Sequence, residues 1–289
     1  EHYFPGGKFR FARRFQDIED FQKTFNKDDV DENAAQTQAF VEKMRGKSFA
    51  FEAPAGTGKT FIGRAIVDDD WTEHKRMQNT KFDSDEEEQK ARGERYLFVA
   101  PTNQAKNLLD DKAMTFDHLQ GRLRDPRRLT RWAKSLRVVY ADEVSMMQAE
   151  HWEVLNVLKH NSPTLRFILA GDWMQHDPVG YDGPSFQGSY IYGQLVDWRR
   201  VKLTCNRRGD ALSFATNKAV RAKSKIDLAQ FLPRESYTCL NITRTHKTRK
   251  AVISEVGKLH VADLLVANPN APSFDVITYS RPLNLARQL

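Results

Sequence analysis

An α/β fold, a parallel sheet carrying helices on both faces, is predicted by three observations. Short apolar runs recur at 49–53, 96–100, 136–141 and 166–170, each followed by polar residues and then a helical pattern. The first of these runs leads into Ala53-Pro54-Ala55-Gly56-Thr57-Gly58-Lys59-Thr60, which ends in Gly-Lys-Thr just before a helix-like stretch. The polar residues with chemical potential lie just beyond the ends of the runs, where parallel sheets bind their ligands.

In chain order, residues 1–32 read as an N-terminal lead-in that packs on the main domain, aromatic and charged, with Phe4, Phe9, Phe11, Phe15, Phe21 and Phe25 irregularly spaced. Asn33 to Arg45 reads as an amphipathic helix with Ala35, Ala39, Phe40 and Met44 on one side, ended by Gly46. Phe49 to Ala53 supplies the first strand and Phe61 to Val67 the helix after the loop. Residues 68–95 include five carboxylates between Asp83 and Glu88 and few apolar side chains, so the segment is expected to be a mobile, solvated insertion rather than a metal site. Strands are then expected at Tyr96–Ala100, Leu136–Ala141 and Arg166–Ala170.

The chain has 289 residues, 40% of them hydrophobic, enough for one large or two medium domains with a buried core. No apolar run is long enough to cross a bilayer, and only Cys205 and Cys239 occur, without metal-ligand spacing; a soluble, intracellular, reducing setting is expected, with Asn241-Ile242-Thr243 a chance sequon. The net charge of +7 favours a polyanionic partner. Its cations crowd Arg122 to Arg137 and Arg244 to Lys250; either cluster fits nucleic acid or a solvated face.

The Gly-Lys-Thr loop is a phosphate cradle. Small residues let backbone amides turn toward an anion at a helix N-terminus, Lys59 reaches the outer phosphates, and the Thr60 hydroxyl meets Mg2+. Pro54, Ala55, Gly56, Thr57, Gly58, Lys59 and Thr60 are therefore the nucleotide-binding candidates, with Ala53 where the general pattern has its first Gly. The third run ends in Asp142-Glu143: Asp142 is suited to hold the metal through water and Glu143 to polarise the attacking water. The fourth ends in Gly171-Asp172-Trp173-Met174-Gln175, where the neutral, forked Gln175 can contact a terminal phosphate or its water.

This order of motifs resembles superfamily 1B DNA helicases of the RecD-like and Pif-type branch. Gln36 is similar to that family's adenine-reading glutamine, Ala53–Thr60 to motif I, Ala100–Asn103 to motif Ia, Thr115–His118 to motif Ib, and Asp142–Met146 to motif II. Gly171–Val179 resembles motif III, with His176-Asp177 in place of an apolar-Pro pair, and Leu203–Arg208 the approach to motif IV. The resemblance covers roughly residues 33 to 255. It implies a first RecA-like ATP-binding domain over 33–200 and the start of a second over 201–289. It also implies ATP and Mg2+ as ligands and an ATP hydrolase that moves 5′ to 3′ on single-stranded or forked DNA. Arg208, with Arg207 as competitor, matches the arginine that reaches the terminal phosphate from the second domain. Strand contacts are implied for Pro101, Thr102, Asn103, Thr115, His118, Thr245 and His246. Motifs V and VI have no match before Leu289, and the opening residue is not Met, so the chain is expected to be a piece of a longer helicase. Two other functions stay open: a nucleotide-dependent nucleic-acid-binding module that needs a partner or a further segment to unwind, and an RNA-directed viral-type helicase.

Overall fold

Seven parallel strands form one sheet in the order β1-β7-β2-β6-β5-β3-β4. The structure, a computed structural model, describes residues 14–22, 25–26, 28–122, 126–174, 183, 185–208, 214–215, 218–219 and 221–222. The elements are β1 (Gln16–Glu19), α1 (Val30–Met44), β2 (Phe49–Glu52), α2 (Lys59–Gln78), α3 (Asp85–Arg95), β3 (Tyr96–Ala100), α4 (Asn103–Leu109), β4 (Met114–Thr115), α5 (Phe116–Arg122), α6 (Pro126–Ser135), β5 (Val138–Ala141), α7 (Ala149–Asn161), β6 (Arg166–Gly171), α8 (Tyr190–Leu195) and β7 (Arg199–Lys202). The chain divides into compact units Glu1–Lys225 and Ile226–Leu289, and the second lies outside the described residues. No described helix is long and apolar enough to cross a membrane.

Strand side chains alternate between faces, and each set meets its own helices. Phe49, Phe51, Phe98, Tyr140 and Ile168 pack against α1 and α2 through Phe40, Met44, Ile62 and Ile66. On the other face, Val99, Val139, Phe167 and Leu169 meet Leu119, Trp152, Leu155 and Leu195 of α5, α7 and α8. The expected α/β sheet with helices on both faces is thus the observed architecture. A fully buried phenylalanine of this kind contributes roughly 1.5–3 kcal/mol.

Three expectations are corrected. Most of 68–95 is helical: α2 continues to Gln78 and α3 fills 85–95, with 79–84 as the connection. Ser84 caps α3 by accepting from Glu87 N, and its first-turn acids Asp85, Glu86, Glu87 and Glu88 lie at the positive end of the helix, where like charges are tolerated. Trp71 Nε1 donates to Glu88, which also pairs with Lys75, and Arg92 bridges to Asp68, so α3 is docked through polar contacts without burying a residue of its own. The N-terminal segment is more than a packed lead-in, since Gln16–Glu19 adds a strand beside β7. A domain boundary after residue 200 would cut β7, whose Ala50–Arg200, Phe51–Val201 and Glu52–Lys202 pairing with β2 makes it integral to the first sheet.

Candidate active site

β2 ends at Glu52 and α2 begins at Lys59; the six residues between wrap a turn that opens on the helix N-terminus. Gly56 and Gly58 hold φ of +80° and +87°, a region that side-chain-bearing residues enter only under strain. Gly58 caps α2 without a side-chain bond, leaving first-turn amides for an anion. Thr57 is buried with its hydroxyl donating to Pro54 O at 2.8 Å, which fixes the turn from within.

Lys59 lies 7% exposed, and its ammonium donates to the carbonyls of Ala53 at 2.8 Å and Pro54 at 3.1 Å. Burial depresses its pKa, and the nearby Glu143, Asp142 and Asp172 carboxylates only partly restore it. Thr60 Oγ1 donates to Asp142 Oδ2 at 2.8 Å, bringing hydroxyl and carboxylate together. The donor chemistry fits a hard divalent cation. Asp142 is nearly fully buried, and its other oxygen accepts from Glu143 N at 3.0 Å.

Glu143 adopts a left-handed backbone at φ +50°, a conformation that costs a non-glycine residue on the order of 1 kcal/mol and is retained where a site requires it. Its Oε2 is buried without a hydrogen-bond partner among the described residues. Burial raises the pKa of both carboxyls, and for Glu143 the neighbouring Asp142 adds to the rise. Behind the pair, Tyr140 donates its hydroxyl to Lys59 O at 3.4 Å. A Cβ on Gly63 would come within 2.0 Å of that ring, so α2 approaches β5 closely only because residue 63 has no side chain.

The segment after β7 crosses the loop and separates the two candidate arginines. Arg207 N donates to Gly56 O at 2.9 Å. Its guanidinium donates to Thr57 O at 2.8 Å, Gln22 Oε1 at 2.8 Å and Asp20 Oδ1 at 2.6 Å, over the Phe21 ring at 4.7 Å. Asp20 also accepts the amides of Thr204 and Cys205. Arg207 is thereby committed to structure. Arg208 is exposed, its side chain makes no hydrogen bond or ion pair with the described residues, and its Cβ lies 3.7 Å from the position a Cβ would take on Gly56.

Gln36 lies half-buried on α1 with its Nε2 on Glu32 Oε1 at 2.8 Å. Pro101, Thr102 and Asn103 follow β3, and Thr115 ends β4 directly opposite Ala100, so these residues and His118 gather at one corner of the sheet. Thr102 caps α4 through Ala105 N, and Thr115 Oγ1 accepts from His118 N. Gln175, Thr245 and His246 lie outside the described residues. Sequence reasoning missed Asp20 and Gln22, which lie in an uninformative lead-in, and Arg221, whose Nη1 lies 2.6 Å from both oxygens of buried Asp172.

A family model described as an AAA domain matches residues 31–193. No curated protein matches. Among solved structures, the Pif1 helicase from Candida albicans is similar at 18% identity and a TM-score of 0.48, covering 66% of this chain and 44% of that one. The Bacteroides Pif1 helicase in complex with ADP-AlF3 and ssDNA is similar at 16% identity and a TM-score of 0.46, covering 66% and 46%. The same protein bound to ssDNA gives 16% and 0.47, covering 65% and 46%. This chain spans less than half the length of those solved chains.

Proposed function

The chain belongs to the AAA-domain family, and from that membership together with the geometry around Lys59 we propose that it hydrolyses ATP and couples the reaction to movement along single-stranded or forked DNA. The observation that carries the reading is the convergence of four groups at the mouth of one loop: the Lys59 ammonium, the Thr60 hydroxyl on Asp142, and the unpartnered Glu143 Oε2.

Lys59 exchanges the Ala53 and Pro54 carbonyls for the outer phosphates, and the amides of Gly58, Lys59 and Thr60 receive the inner ones. Thr60 and Asp142 hold Mg2+, which when bound neutralises phosphate charge. Glu143 accepts the proton of a water that attacks the terminal phosphorus in line, while the bond to the bridging oxygen breaks toward ADP. A carboxyl with a raised pKa is the stronger base for that step. Arg208 supplies positive charge to the terminal phosphate and Gln175 contacts its water. Gln36 reads adenine, once its amide leaves Glu32.

The strand runs past Pro101, Thr102, Asn103, Thr115 and His118, with Thr245 and His246 contributing from beyond residue 201. Short polar side chains and amides on phosphates make this grip sequence-tolerant and salt-sensitive. The motif order supports a superfamily 1B motor moving 5′ to 3′.

The test is ATP turnover with and without single-stranded DNA at low salt, for the parent chain, Lys59→Ala and Glu143→Gln. Stimulated turnover, abolished in both variants while Glu143→Gln still binds ATP, is the expected result. Unchanged hydrolysis by Glu143→Gln removes the assigned base. Stimulation by RNA and not DNA replaces the proposed strand with the other polymer.

A further inference from the structure

Beside the phosphate loop is a cavity of about 430 Å³, bounded by Pro54, Thr204, Asp172, Met174, Lys218 and Arg221. Asp172 directly follows β6, is 3% exposed, and accepts from Met174 N at 3.1 Å. A carboxylate this deep needs a cationic partner, and Arg221 provides it through one nitrogen: Nη1 lies 2.6 Å from Oδ1 and 2.6 Å from Oδ2. Guanidinium carries five N–H donors in a rigid plane. With Nη1 committed to Asp172, the Nη2 and Nε donors are left without a described partner, on a side chain that lines the cavity and is 30% exposed.

We propose that Arg221 is a further cation for the terminal phosphate of the bound nucleotide, beside Lys59 and Arg208, oriented by Asp172. The inference rests on the ATPase reading above and deepens it, because it assigns the distinction between triphosphate and diphosphate to a residue outside the loop and outside the Arg207–Arg208 pair. Arg221 and Asp172 line this cavity together with Ala53 and Pro54, whose carbonyls hold the Lys59 ammonium, so the free donors share a cavity with the backbone that anchors Lys59. A terminal phosphate drawn to Lys59 brings its negative charge toward those donors. Asp172 keeps its hold on Nη1 throughout, so the free donors are presented in a fixed orientation and lose little freedom on binding. A purely structural Arg–Asp pair would tie down the chain around residue 221 with no preference between nucleotides.

The experiment compares the affinity of AMP-PNP with that of ADP by fluorescence titration, in the parent chain, Arg221→Gln and Arg221→Lys. Loss of charge-assisted donors to a phosphate is expected to weaken AMP-PNP by about tenfold or more in Arg221→Gln, with ADP changed by less than about twofold and Arg221→Lys recovering part of the loss. Because Arg221→Gln strands the Asp172 carboxylate, the pair Asp172→Asn with Arg221→Gln is measured alongside; it removes both charges and is expected to show the same selective loss. An AMP-PNP to ADP ratio equal to the parent's in these variants overturns the role of Arg221 and leaves the ATPase reading standing. A parent chain that binds neither nucleotide overturns both.

Discussion

Replacing Arg207 by methionine removes the cation that ties the N-terminal strand to the phosphate loop. Arg207 and Asp20 are 9% and 5% exposed at their side chains, so solvent screens the pair little. The substitution leaves a buried carboxylate without its counter-ion, and Gln22 Oε1 and Thr57 O without their donor. Breaking a buried pair on one side costs roughly 3–5 kcal/mol. Asp20 keeps the amides of Thr204 at 2.7 Å and Cys205 at 2.9 Å, which places the expected loss near the lower end, about 3 kcal/mol. For a unit of this size that corresponds to a fall in Tm of about 6–12 °C. Urea unfolding followed by circular dichroism reads the loss. The double variant Asp20→Asn with Arg207→Met is expected to recover part of it, since no buried charge is then unpaired. A loss below about 1 kcal/mol would rank the pair with ordinary surface contacts and refute the claim that it locks the loop.

Three further outcomes are expected. Gly63→Ala forces a methyl into the Tyr140 ring, which is fully buried and cannot yield, so a loss at or above the roughly 1–3 kcal/mol of ordinary overpacking should appear as a lowered Tm; an unchanged Tm contradicts the close approach of α2 to β5. Glu143→Gln should stabilise the ligand-free chain. Because the folded pKa is raised, the parent is unpenalised below the ordinary value of 4.5 and loses stability as pH rises through the raised one, so the variant's advantage grows over that window; an advantage independent of pH excludes the carboxylate as its source. Arg208→Ala should leave ATP binding intact and slow turnover by about 10³-fold or more, as expected for a side chain that meets the terminal phosphate in the transition state, and normal turnover removes it from the mechanism.

The central strands were legible because each is a continuous apolar run: Tyr96–Ala100 is observed as read, and β2, β5 and β6 differ from the reading by one or two residues at an end. β1 (QDIE) and β7 (RRVK) escaped because each carries a single apolar residue. Their pairing is held by Asp17 with Arg200 and Lys202, a cross-strand charge match invisible to hydrophobic periodicity. α3 was overlooked for a related reason. None of its residues is fully buried, and its signal was the Ser84 cap with acids first and arginines last, which a reading based on composition takes as repulsion. At the site, Lys59, Thr60, Asp142 and Glu143 were readable because consecutive motif residues need no knowledge of the fold. The Asp20–Arg207 and Asp172–Arg221 pairs join positions far apart in sequence, and no local pattern announces either.

The placement of β1 also sets an order of events during synthesis. Asp17 meets Arg200 across 183 positions, and Asp20 meets Arg207 across 187, so β1, made well before β7, waits for its neighbour. Until the ribosome has released residue 207, the phosphate loop has its turn but lacks the guanidinium that pins the Thr57 carbonyl. A nascent chain shorter than this carries β2 with one flank open, and that flank is closed only when β7 slides between the two earlier strands.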